Sequence, residues 1–216
     1  MKNSNKIFLG EFIACCFLVM VIVGSGIMAE NLTNDNAVRL LANTIATGAG
    51  LFVLITAFAN ISGAHLNPFV SLSMYLTKRI KGKELLTFIH AQLLGCLLGV
   101  MLANVFFEHI IIELSTKNRD GFHIFLSEIV ATFGLIFIIF ATLKDGKTTV
   151  AACVATYISA GYLFTSSTSC ANPAVAIART FTDSFTGINY LNTPTYIFAE
   201  LLGAIVAIYI IKRLIK

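Results

Sequence analysis

The sequence predicts an all-α membrane protein with six transmembrane helices plus two re-entrant half-helices in an inverted repeat. Three observations predict it. The 216 residues are 57% hydrophobic and only 12% charged, against about 25% charged in a soluble domain, so the chain is too apolar to cover its own surface in water. Its apolar residues gather in stretches long enough to cross a bilayer. The two halves of the chain repeat the same order of motifs. With no Trp and three Pro, the chain is neither disordered nor low-complexity, and residues 1–216 read as one domain.

A hydrocarbon core about 30 Å thick needs roughly 20 apolar residues per helix. Stretches at 7–29, 37–59, 85–107, 122–143, 149–165 and 195–211 meet or approach that length, most of them separated by polar segments rich in Asn, Asp, Lys or Gly. The first is too long for a signal-peptide core, contains Glu11 and lacks a convincing small-x-small cleavage site, so it reads as a retained helix.

The formal net charge of +4 does not point to nucleic acid, because the basic residues sit in short runs between apolar stretches. With the N-terminus in the cytoplasm, Lys2, Lys6, Lys78, Arg79, Lys81, Lys83, Lys144, Lys147, Lys212, Arg213 and Lys216 fall inside. Arg39, Lys117, Arg119 and Arg179 fall outside. That asymmetry predicts a multi-pass protein of the cell membrane with both termini cytoplasmic. The run at 78–83 is a topology signal with some contact to anionic lipid.

The cysteines are Cys15, Cys16, Cys96, Cys153 and Cys170. None forms a CxxC pair and no His cluster accompanies them, so neither a disulfide framework nor a zinc site is expected. No cofactor or metal is expected. No nucleophile motif or nucleotide loop suggests an enzyme.

Two intervals, 62–77 and 166–185, are not explained by six helices. Each opens with small and polar residues, reaches an Asn-Pro (Asn67-Pro68 and Asn172-Pro173) and continues as an apolar helical pattern. About ten residues at 1.5 Å each span roughly half the bilayer core. The repeat covers approximately 1–107 and 122–216. Ala91-Gln92-Leu93-Leu94-Gly95 returns as Ala199-Glu200-Leu201-Leu202-Gly203, and Phe8-Leu9-Gly10-Glu11 as Phe125-Leu126-Ser127-Glu128. Three spans per half is an odd number, so the second half must be inverted, and inverted repeats commonly place a solute site between them at the midplane.

Non-helical backbone survives at membrane depth only where protein buries it or water bathes it. The segments 62–66 and 166–171 would supply such backbone, with carbonyls forming a polar ladder along a channel. Asn is a good N-cap and Pro is preorganised at the first helical position. Half-helices entering from opposite faces would meet at Asn67 and Asn172 and turn their positive ends toward the midplane, where cations are repelled and neutral hydroxyl-bearing solutes are not. Glu11 and Glu128, inside helices at matching positions of the repeat, read as acceptors for backbone amides of the two loops.

On these motifs the chain resembles the aquaporin, or major intrinsic protein, family over almost its whole length. Ser62-Gly63-Ala64-His65-Leu66-Asn67-Pro68 is similar to the first family motif, and Asn172-Pro173-Ala174 to the second. The resemblance implies a homotetramer with one pore per subunit, in a lipid bilayer, passing small neutral solutes. It also implies an extracellular selectivity filter with an arginine just after the second motif. Val175 occupies that position. Family spacing puts the other filter residues at Thr47, Ala160 and Ser169, with a possible slip of two residues for the first two. Either register predicts a filter without bulky aromatics or arginine, wider and less polar than that of a strict water channel. Phe69 stands where the family has alanine, and either repacks into the core or narrows the pore.

The run from Asn172 to Arg179, followed by Thr182-Asp183-Ser184-Phe185, resembles bacterial aquaporins linked to arsenic resistance. This implies trivalent arsenic acids, neutral at pH 7, as candidate solutes beside water and small polyols. His65 and Cys170 are candidate pore-lining residues; His65 reads first as a hydrogen-bonded scaffold. Arg179 reads first as a helix or loop partner, with Asp183 four residues on. The alternatives are a water-selective channel of the same fold and a coupled secondary transporter.

Overall fold

The computed structural model describes residues 3–214, all helix and connecting loop. The elements are α1 (Asn3–Leu32), α2 (Asn36–Phe58), α3 (Pro68–Leu76), α4 (Gly82–Phe106), α5 (Phe122–Thr142), α6 (Lys147–Phe164), α7 (Pro173–Arg179) and α8 (Thr193–Leu214). The six expected spans are α1, α2, α4, α5, α6 and α8, and the two expected half-helices are α3 and α7. Among the described residues, five helices are long and apolar enough to cross a membrane. The sixth, α6, has 18 residues and carries Thr148, Thr149, Thr156 and Ser159, which lower its hydropathy.

The repeat is visible in the packing. The longest interfaces pair α1 with α4 and α5 with α8, while α2 lies against α6 across the halves. The repeated glycines explain the first two pairings. A Cβ on Gly95 would sit 2.3 Å from the Phe12 carbonyl oxygen, and one on Gly203 would sit 2.4 Å from that of Ile129. These contacts involve backbone, which cannot swing aside, so only glycine permits such close crossings. Phe12 and Ile129 each follow the glutamate of their half, so the same close approach brings Gln92 to Glu11 and Glu200 to Glu128.

The loops gather at two ends. At one end, the last turn of α1 meets residues 107–121 and 180–192: Phe185 N donates to Glu30 at 2.6 Å and Lys117 lies 4.0 Å from Glu30. At the other end, Lys147 Nζ donates to the Ala59 carbonyl oxygen at 3.1 Å and to Asn60 at 2.6 Å.

Candidate functional site

The half-helices begin where the sequence places their caps. Asn67 Oδ1 accepts from Phe69 N at 2.8 Å and Val70 N at 3.4 Å. Asn172 Oδ1 accepts from Ala174 N at 3.2 Å and Val175 N at 3.5 Å. Pro68 and Pro173 open the two helices, where a missing N–H costs nothing.

The backbone before each cap is unusual and matched. Gly63, Ala64 and Leu66 have φ of 104°, 51° and 51°; Thr168, Ser169 and Ala171 have 62°, 50° and 48°. Counted back from each asparagine, the left-handed residues occupy the same three positions. Only Gly63 adopts this region freely; each of the others costs roughly 1–3 kcal/mol unless its surroundings over-determine it. Buried glutamates do so. Glu11 accepts from Ser62 Oγ at 2.7 Å, His65 N at 3.1 Å and Leu66 N at 2.8 Å. Glu128 accepts from Cys170 N at 2.9 Å and Ala171 N at 2.8 Å. Both glutamates are fully buried.

The two loops also hold each other. Asn67 Nδ2 donates to the Ala171 carbonyl oxygen at 2.7 Å, and Asn172 Nδ2 donates to the Leu66 carbonyl oxygen at 2.8 Å. A side-chain amide has two N–H donors, and these bonds use one of each pair.

Beside this junction lies a cavity of about 370 Å³ whose wall includes residues from both ends of the bundle. Thr47 and Arg179 line it toward one end; Ala59 and Lys147 line it toward the other. One side is polar, with Asn67, Asn172 and loop residues 63–66 and 169–171; the facing side is apolar, with Leu51, Leu135, Ile139 and Val154 among its residues.

The profile of the major intrinsic protein family matches residues 1–166. The chain belongs to the major intrinsic protein family. It is 45% identical over 206 residues to the aquaglyceroporin AqpS of Rhizobium meliloti (strain 1021), covering 95% of this chain and 88% of that one. It is 30% identical over 213 residues to aquaporin-4 of Rattus norvegicus, covering 94% and 65%. The fold is that of the aquaglyceroporin from Plasmodium falciparum, with TM-score 0.81 over 98% of this chain and 97% of that one at 20% identity.

The family profile ends before the second Asn-Pro, so the positions that would form a major-intrinsic-protein filter rest on the structure itself. Thr47, Ser169 and Val175 line the cavity, as do His65 and Cys170. Ala160 does not: it is exposed. The α6 residues on the cavity wall are Lys147, Val150, Val154, Ile158 and Tyr162, a three- to four-residue spacing that puts residue 160 on the far face of the helix. In place of Ala160, α6 presents Tyr162 to this part of the cavity, and its hydroxyl donates to Thr47 Oγ1 at 3.2 Å.

An aromatic ring and a guanidinium thus stand at this end of the cavity, where the family spacing predicts neither. Arg179, one turn beyond Val175 on the same face of α7, is 3% exposed and lines the cavity. Its Nε donates to the Thr186 carbonyl oxygen. It does not pair with Asp183, which instead accepts from Thr116 N at 2.9 Å and from Thr116 Oγ1. Arg119 reaches the same region, donating to Gly187 O at 2.8 Å and Phe185 O at 2.7 Å. Burial, followed by the charge of Arg179, lowers the Arg119 guanidinium to about 10, so it stays charged at neutral pH.

The remaining expected residues support the site from behind. Pro68, Phe69, Pro173 and Ala174 are buried away from the cavity wall. Phe69 packs in the hydrophobic core, so its extra volume is taken up there. His65 stacks on Phe88 at 4.1 Å and its Nδ1 lies 3.0 Å from Ser71 Oγ, so it is tied to scaffold while facing the cavity.

Proposed function

We propose that the protein is a passive channel for water and small uncharged solutes. The observation that carries this reading is the cavity with a polar wall of loop residues, an apolar wall opposite, and Asn67 and Asn172 between them. A hydroxyl-bearing solute exchanges its water for amide donors and loop carbonyls along one wall, while its carbon face slides along the other. A cation meets two helix N-termini, each equivalent to roughly half a positive charge, followed by Arg179. The polar wall is fixed by Glu11, Glu128 and the crossed asparagines, so conduction needs no rocking of the halves.

The asymmetry of Lys and Arg supports placing both termini in the cytoplasm. Arg179, Tyr162, Thr47, Ser169 and Val175 then form the outer, solute-selecting end. The similarity to an aquaglyceroporin supports polyols, and trivalent arsenic acids match them in neutrality and hydroxyl display. A homotetramer, usual in this family, would cover part of the exposed apolar surface that includes Ile45, Val53 and Phe164.

A water-selective channel is the second reading, favoured by Tyr162 and Arg179 at the outer end of the cavity. Proteoliposomes under a glycerol gradient, with ion gradients collapsed by ionophores, test the first. Swelling that persists without any ion gradient supports a passive polyol channel; swelling that requires one rejects it.

A further inference from the structure

The inverted repeat breaks at one chemically informative position. In the first half Gln92 Nε2 donates to Glu11 at 2.8 Å. Its counterpart in the second half is Glu200, fully buried, which faces Glu128. A carboxylate oxygen of each and the Cys170 sulfur all lie within 4.8 Å of one another. Glu200 Oε1 accepts from Asn172 N at 2.9 Å. Its Oε2 is buried and has no hydrogen-bond donor among the described residues.

Three consecutive N–H groups, of Cys170, Ala171 and Asn172, are therefore taken by two side chains immediately before Pro173, which has none. Glu128 is already an acceptor twice over. Two ionised carboxylates at this separation in a dry interior repel strongly, and such pairs hold a proton between them. Glu128 accepts charge-assisted bonds from the loop, which favour its ionised form. The proton then belongs on the partner with the empty oxygen. A carboxylic acid there presents one acceptor and one donor, the same pair of functions as the Gln92 amide. The other ionisable groups facing the pair are Cys170 in the loop, Tyr157 on α6 and Tyr196 on α8, while Arg179 on α7 faces Cys170.

We propose that Glu200 is a positioning residue that stays protonated in the membrane, donates from Oε2 to Glu128 and accepts from Asn172 N at Oε1, thereby fixing the second pore asparagine. Neither Glu128 nor Glu200 touches the solute; both act through the backbone of residues 170–172. In the first half an amide braces the loop-holding glutamate, Gln92 Nε2 donating to Glu11 and to Ser71 Oγ; in the second a stored proton does so, and Glu200 also takes the Asn172 N–H itself.

Infrared spectroscopy of the purified full-length protein in lipid, paired with glycerol and water flux, tests the proposal. The wild type is expected to show the carbonyl stretch of a protonated carboxyl that exchanges slowly in D2O. Glu200→Gln is expected to abolish that band and keep flux within twofold, because glutamine supplies the same donor and acceptor. Glu200→Leu is expected to lower flux at least tenfold, with helical content by circular dichroism confirming that it folds. Absence of the band in the wild type, its survival in Glu200→Gln, or flux in Glu200→Gln as low as in Glu200→Leu would each overturn the proposal. Only the flux arm rests on the channel reading; the infrared band stands or falls without it.

Discussion

Asn67 and Asn172 are bound to each other's loops: each amide donates to the carbonyl oxygen of the residue immediately before the other asparagine, at 2.7 and 2.8 Å. Each asparagine caps its own half-helix with Oδ1 and fixes the opposite loop with Nδ2. The two halves therefore cannot be displaced independently, and the remaining N–H of each amide stays directed by a bond on either side.

Asn172→Asp keeps an acceptor for the cap but loses the donor to Leu66 and adds negative charge where the helix ends are positive. A neutral-donor hydrogen bond of this kind contributes about 0.5–1.5 kcal/mol, so the variant folds. Proton conductance is expected to rise at least tenfold, read with a pH-sensitive dye inside proteoliposomes. Unchanged proton exclusion would remove the half-helix junction from the barrier.

Arg179→Leu removes the buried guanidinium while filling much of its volume. Glycerol flux is expected to rise two- to fivefold, and the barrier to cations to fall. The converse change, Val175→Arg, adds a second guanidinium one turn away on the same face of α7 and is expected to lower glycerol flux about tenfold while water flux falls less. Parallel stopped-flow traces for both solutes read each outcome.

The six spans and two half-helices were legible because length and hydropathy are set locally, and the Asn-Pro caps because they need only their own neighbours. The repeated Ala-x-Leu-Leu-Gly runs were legible as a repeat, but their reason, Gly95 against Phe12 and Gly203 against Ile129, required the interface. Ala160 was misplaced because family spacing does not fix the rotation of α6 about its axis, and a two-residue slip turns a helix by about 200°. Arg179 reads from the sequence as a helix or loop partner, and it is one, holding the Thr186 carbonyl; that it also lines the cavity is signalled only by its isolation as a charge among the apolar residues of α7. Glu200 is the one change within the repeated run, but its meaning depends on Glu128 facing it, which the α5–α8 interface sets.

Gly203→Ala would put a methyl group 2.4 Å from the Ile129 carbonyl oxygen. Forcing extra volume into a packed contact costs typically 1–3 kcal/mol, and the α5–α8 crossing must open. A lower melting temperature in detergent, with Gly95→Ala behaving alike in the first half, is the expected result.

Cys170 lines the cavity while Cys15 and Cys96 are fully buried between helices. A mercurial in the bath is expected to block most of the flux, and Cys170→Ser to abolish the block. Persistence of the block in that variant would place the reactive thiol elsewhere.

Stopped-flow light scattering of purified protein in liposomes tests a passive pore for small neutral solutes most directly. Water, glycerol and arsenous acid gradients are applied in parallel, with an ion-current recording on the same preparation. The expected result is rapid uptake of glycerol and arsenous acid, measurable water flux and negligible current. Rapid water flux with no solute entry would contradict the solute-channel reading and leave a water-selective pore in its place.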